Sequence, residues 1–266
     1  MKKYFVVISL LLLMNIGIAQ KQKEGWQYNY LKGKVKTTVT TRYNKNNKAD
    51  RTEKQYFDNA GTLLSVISET ITDELWFTTI ERYEYDAKGN LAYRTSTDYD
   101  RKRNERNDDS TIWVFKYDDK GNRIGTEAGD LGWKDTYDEK GNLVQSLSMR
   151  NGIIDGKITI TRNGNTSEEK IFDAAGEYQS SEFAKYNAQK NYTERSTYDA
   201  DGKLITRRTY TYNKNNDLVS LVTTGITGSD TLTYTYVYDS MQNWTSKTQI
   251  KDGVKQSTEK RDIEYY

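Results

Sequence analysis

The sequence predicts an all-β protein, an antiparallel meander of repeated hairpins forming an open, twisted or spiralling sheet. Three observations carry that expectation. A turn signature, aromatic then Asp or Asn, two variable residues, then Gly or Asn, recurs along the chain in ten copies, two of which depart from it at the last place. The residues before these turns alternate in polarity with period two, which is the side-chain period of a strand and not of a helix. Pro is absent from all 266 residues, as suits a chain whose amides are spent on ladders that Pro cannot join.

From the N-terminus, Met1-Lys2-Lys3 leads into an apolar run from Tyr4 to Met14, and small Gly17 and Ala19 stand before polar Gln20. A charged start, a short apolar stretch and a small-residue exit mark a secretory signal peptide over residues 1–19, since a spanning helix needs about 20 apolar residues. The remainder, 20–266, reads as a single β-repeat domain exported to the periplasm, the cell surface or the exterior, with no membrane span once the leader is removed. Loss of Lys2 and Lys3 leaves 38 Lys+Arg against 38 Asp+Glu. That balance argues against nucleic acid, which wants a basic excess.

The copies begin at Tyr43, Phe57, Tyr85, Tyr117, Tyr137, Phe172, Tyr186, Tyr198, Tyr212 and Tyr238. In the clearest, Asp86, Asp118, Asp138 and Asp199 are placed to accept backbone amides and close the loop. Gly89, Gly121, Gly141 and Gly202 stand where a hairpin closing on a bulge demands a left-handed backbone. Lys190 and Gln242 occupy that same position, so their turns are expected to be strained or differently shaped. Before the turns, Tyr83 and Tyr85, or Tyr234, Tyr236 and Tyr238, share one parity. Arg82 and Glu84 take the other, as solvent-facing residues would. The stretch from Asp100 to Asp109 has no apolar residue and reads as a long exposed hairpin loop.

The copies at Tyr85–Leu91, Tyr137–Leu143 and Tyr198–Leu204 resemble the tyrosine-aspartate (YD) repeats of the rearrangement-hotspot (Rhs) and teneurin families. The closing stretch, Asn243-Trp244-Thr245 and then Arg261 to Tyr266, is similar to the ends of short secreted bacterial YD-type proteins. The resemblance spans most of residues 43–244 and implies a meandering sheet that spirals into a hollow shell.

Composition also limits the chemistry. With His 0 and Cys 0 there is no imidazole base, no thiol nucleophile and no ordinary zinc site. The Asp-bearing turns offer too few oxygens each for calcium, so no metal, cofactor or catalytic residue is assigned. Of the five Trp residues, Trp113 and Trp244 fall in register with repeat core positions. Trp76 and Trp133 do not, and are the candidate binding aromatics. The reading is a secreted, non-enzymatic scaffold or binding module for a glycan or protein partner. The alternatives are a carboxylate-dependent glycoside hydrolase or lyase, and a structural cell-envelope component self-associating through sheet edges.

Overall fold

The computed structural model describes residues 31–72, 75–101, 105–106 and 110–266. The expected signal peptide, 1–19, lies outside the described residues. In chain order the strands are β1 (Val35–Asn44), β2 (Ala49–Phe57), β3 (Leu63–Ile71), β4 (Trp76–Tyr85), β5 (Leu91–Asp100), β6 (Glu105–Arg106) and β7 (Thr111–Tyr117). There follow β8 (Arg123–Ala128), β9 (Leu131–Tyr137), β10 (Leu143–Arg150), β11 (Ile153–Asn163), β12 (Thr166–Asp173) and β13 (Tyr178–Tyr186). The last six are β14 (Tyr192–Asp199), β15 (Leu204–Tyr212), β16 (Leu218–Gly225), β17 (Gly228–Tyr238), β18 (Trp244–Lys251) and β19 (Val254–Tyr265).

Among the described residues every pairing is antiparallel and, short β6 aside, joins neighbours in sequence, with one exception that decides the architecture. The first strand pairs with the last, from Val35↔Tyr265 to Asn44↔Ser257. The short β6 only prolongs the hairpin of β5, and β5 pairs on to β7. The remaining 18 strands close into a barrel. The meander of hairpins was legible in advance, but the open or spiralling sheet is corrected: β1 and β19 satisfy each other's ladders. The sheet edges on which self-association would run are therefore used up.

Among the described residues, no strand brings a Cα within 8 Å of any strand but its ladder neighbours. A ring of about 16–18 strands is too wide for its own side chains to fill. Buried apolar residues are accordingly few. Among the described residues one cluster, Leu31, Val35, Phe57, Leu63 and Val66, lies beside the seam, under β1, β2 and β3.

One rim carries the turns after β2, β4, β7, β9, β13, β15 and β17, and the aromatics of seven copies stand at it: Phe57, Tyr85, Tyr117, Tyr137, Tyr186, Tyr212 and Tyr238. Register places these seven on the inner face. The other three, Tyr43, Phe172 and Tyr198, stand at the opposite rim and face outward. The split follows from geometry. The meander always advances in one direction round the barrel, so bringing a turn of fixed handedness to the other rim rotates it about a tangential axis. That rotation exchanges inside and outside.

The inward tyrosines stitch neighbouring hairpins together. Tyr85 Oη donates to Leu63 O (2.9 Å), Tyr117 to Leu91 O (3.0 Å), Tyr137 to Arg123 O (2.8 Å), Tyr212 to Tyr192 O (2.9 Å) and Tyr236 to Leu218 O (2.7 Å). Each acceptor is the first residue after the preceding turn on that rim. The turns share one geometry. Asp86 Oδ1 accepts from the amides of Lys88 and Asn90 (2.9 and 2.8 Å), which with the Asn90 side chain hold its carboxyl below the ordinary range. Asp118, Asp138 and Asp199 receive the corresponding amide, four residues on, at 2.8, 2.7 and 2.8 Å. Gly89, Gly121, Gly141 and Gly202 have φ between +77° and +84°. Lys190 and Gln242 adopt φ +65° and make the same closing bonds to Asn187 O and Asp239 O. Those two turns are not differently shaped, and the strain falls on a side chain that disfavours this region.

Candidate functional site

Alternation along the strands gives the barrel two unlike faces. On β15, Ile205, Arg207, Thr209 and Thr211 are exposed, whereas Thr206, Arg208, Tyr210 and Tyr212 are half-buried. The outer parity carries exposed charges around the ring, among them Lys54, Arg82, Glu84, Lys116, Lys134, Lys170, Lys185, Arg207 and Lys260. A lipid-facing wall cannot hold such a set, because each Lys or Arg near the bilayer midplane costs about 2–4 kcal/mol. Among the described residues, no helix is long and apolar enough to cross a membrane either.

The inner wall is also polar, but its charges are paired and packed on aromatic rings. Across β7, β8, β9, β10 and β11, the register chain Phe115↔Thr126, Thr126↔Trp133, Trp133↔Ser148 and Ser148↔Gly156 lays one row of inward residues side by side, and the pair Arg94↔Trp113 lies one inward position along from its start. The Arg94 guanidinium lies 4.9 Å from the Trp113 ring and 3.8 Å from a Glu81 oxygen. Trp113 stacks on Trp133 at 5.7 Å with 26° between planes. Beyond Trp133 the row continues in small residues, Ser148 and Gly156, with the Ser148 hydroxyl donating to Asp155 Oδ1 at 2.6 Å.

The next row holds Asp135 opposite Ser146. Asp135 Oδ2 accepts from Arg123 Nε at 3.3 Å. Asp135 Oδ1, Ser146 Oγ and Arg94 Nε are buried and have no hydrogen-bond partner. Each unsatisfied buried polar atom costs about 1–3 kcal/mol. Asp135 Oδ1 and Ser146 Oγ leave acceptor and donor capacity unmet on the two strands at the Trp133 end of the stack, and Arg94 Nε does so at the Trp113 end. Burial, with the charge of Asp135 next to it, pushes the neighbouring Tyr137 hydroxyl up to about 12.

A second inner cluster sits on β11 to β15. Arg195 grips Glu182 through two bonds of 2.7 Å. Glu169, directly opposite Glu182, is 6 % exposed, and burial with the adjacent Glu182 charge raises it to about 7 against the pull of Arg195 and Arg162. A third lies near the seam, where the Arg261 guanidinium stands 3.5 Å from the Trp244 ring and donates to Thr40 Oγ1. Burial lowers it to about 10.

The two tryptophans singled out from sequence do not meet. Trp76 begins β4 on the outer face, 46 % exposed, and its carbonyl accepts from the Arg101 amide. Trp133 is on the inner wall. Trp113, read as core packing, is its stacking partner. Arg94, Asp135 and Ser146 had no signal of their own, but parity could have found them: Trp133, Asp135 and Tyr137 alternate on one strand, and Tyr137 is a repeat aromatic.

Comparison with known proteins adds little chemistry. A family model described as an uncharacterised protein matches residues 167–262, from β12 into β19. No curated protein matches the chain. Among solved structures, a porin-like protein from Bacteroides uniformis is 14% identical over 86% of this chain and 98% of its own, with a TM-score of 0.44. A TcdB2-TccC3 structure without its hypervariable C-terminal region is 14% identical over 80% of this chain and 15% of that one, TM-score 0.28. A domain named for outer membrane lipoprotein sorting, from Vibrio parahaemolyticus, is 11% identical over 91% and 87%, TM-score 0.27. The expected YD-repeat kinship is corrected by the closed barrel and by a family match of a different description. The signature is a hairpin-closing device dictated by backbone geometry, available to any one-directional meander, and so it does not identify a family.

Proposed function

We propose that the protein is an exported, non-enzymatic binding module that takes a glycan against the inner wall of the barrel. The observation that carries this reading is the end of the Arg94–Trp113–Trp133 stack. There the Trp133 face and small Ser148 and Gly156 lie side by side on the inner wall of the ring. A sugar ring offers an apolar face to stack on Trp133 and hydroxyls to meet the half-buried polar side chains of that wall, as ligand sites with a few polar groups around an aromatic face require. A lumen favours such a chain over a folded protein partner.

The hydrolase alternative draws on one observation, the adjacent carboxylates Glu169 and Glu182. Glu182 is spent on Arg195 and Glu169 is buried beneath the wall surface, so neither is free to meet a glycosidic bond. The test is a glycan array probed with chain 20–266 and with Trp133→Ala. Binding by the parent and at least tenfold weaker binding by the variant is expected. Silence of both across the array would refute the glycan and transfer the reading to a protein partner.

A further inference from the structure

The outward copies of the turn signature come together in one place. Phe172 and Tyr198 precede consecutive turns of the same rim, Asp173–Glu177 and Asp199–Lys203, and the hairpin between them adds Tyr178 and outward-facing Phe183. These four rings, with Ser181 at the floor, line an open groove of 680 Å³ on the outer face. Phe172 and Tyr178 meet edge to face at 5.9 Å, and Lys157 Nζ sits 4.5 Å over the Phe172 ring.

Polar groups of the groove carry little net charge. Lys170 at its rim is 3.6 Å from Glu168, and Lys185 next to Phe183 is 3.5 Å from Glu194. Ser196, the register partner of Phe183, is fully buried and its Oγ has no partner. Other outward rings, Tyr43, Trp76 and Tyr93 among them, stand on β1, β4 and β5, whereas four gather here on β12, β13 and β14.

We propose that this groove is a second binding site, for a neutral oligosaccharide, separate from the inner wall and independent of the reading given for it. The size falls in the range of small-ligand sites, about 300–1,000 Å³. Half-buried rings supply stacking faces, with large apolar area at low conformational cost. The paired Glu168 and Lys170 and the Ser181 hydroxyl supply edge contacts to hydroxyls without attracting a charged chain. An anionic polymer would need several free cations, and of the three lysines beside the groove Lys170 and Lys185 are met by carboxylates while Lys157 lies against the Phe172 ring.

The experiment is isothermal titration of chain 20–266 with hexasaccharides of β-1,4-glucose, β-1,4-N-acetylglucosamine and α-1,4-glucose, and with a sulfated hexasaccharide. Phe183→Ala, Phe183→Leu, Tyr198→Ala, Trp133→Ala and, as the unaffected control, Tyr93→Ala, an exposed ring on the distant strand β5, are titrated in parallel. At least one neutral sugar is expected to bind, with a tenfold or greater loss in Phe183→Leu and Tyr198→Ala and none in Tyr93→Ala. Phe183→Leu keeps the apolar volume should Phe183→Ala fail to fold. No binding by any neutral sugar, preference for the sulfated one, or unchanged affinity in the groove variants would overturn the proposal. Loss in Trp133→Ala alone would assign the sugar to the inner wall and not to this groove.

Discussion

Replacing Glu169 with Gln should stabilise the barrel at alkaline pH and leave it unchanged in acid. In the unfolded chain the carboxyl releases its proton near 4.5, and in the folded barrel near 7, because burial and the Glu182 charge outweigh Arg195 and Arg162. Below 4.5 both states hold the proton and the full stability is present. Between 4.5 and 7 only the folded state keeps it, and stability falls by about 1.4 kcal/mol per pH unit. Above 7 the loss is complete, about 3 kcal/mol by the same conversion. Glutamine holds the same shape and never titrates, so the variant escapes the loss. Urea unfolding followed by tryptophan fluorescence at pH 4, 6 and 8 reads the difference directly. Midpoints should coincide at pH 4 and separate progressively, with the variant ahead by about 3 kcal/mol at pH 8. A variant less stable than the parent at pH 8 would refute the reasoning, since it would mean that Glu169 is ionised and held by Arg162 or Arg195.

Other outcomes follow from the same structure. Glu182→Gln should behave oppositely to Glu169→Gln, losing about 2–3 kcal/mol at pH 8 because it strips a charged partner from half-buried Arg195. Tyr117→Phe deletes one hydroxyl bond to Leu91 O and should cost about 1 kcal/mol, a fall of roughly 2–4 °C in Tm by calorimetry. Lys190→Gly relieves a side chain at φ +65° and should raise stability by about 0.5–1 kcal/mol in the same assay. Mixed with liposomes and floated on a density gradient, chain 20–266 should remain with the soluble fraction. Migration with the lipid would contradict the charge pattern of the outer face.

What the sequence revealed and what it concealed divide along a physical line. Strand parity and turn chemistry are local, so the hairpins, the Asp-closed loops and the inward Tyr83–Tyr85 face could be read from residues a few positions apart. Closure could not, because the pairing of Thr38 with Ile263 leaves no mark near either residue. The face of each repeat aromatic was hidden for the same reason: whether Phe172 points in or out depends on which rim its turn occupies, and that requires the ring. Trp133 was set apart from the repeat core although it stands four residues before Tyr137, as Trp113 does before Tyr117, and shares the inward parity of Asp135 and Tyr137. The insert around Asp100 continues its hairpin through Glu105–Arg106, while 102–104 and 107–109 lie outside the described residues.

The seam between β1 and β19 also sets an order of events in folding. Every other ladder joins strands adjacent along the chain, so hairpins can zip locally as the polypeptide lengthens. The seam brings together residues such as Thr40 and Arg261, 221 positions apart. Closing so long a loop instead of a hairpin of a few residues costs about 3 kcal/mol more in chain entropy, at about 0.6 kcal/mol for each doubling of length. The final 12-residue strand therefore acts as a clasp. Until it docks, β1 and β18 each present a free ladder that any other extended chain could take, and the interval between synthesis and clasping is when this protein is most exposed to mispairing.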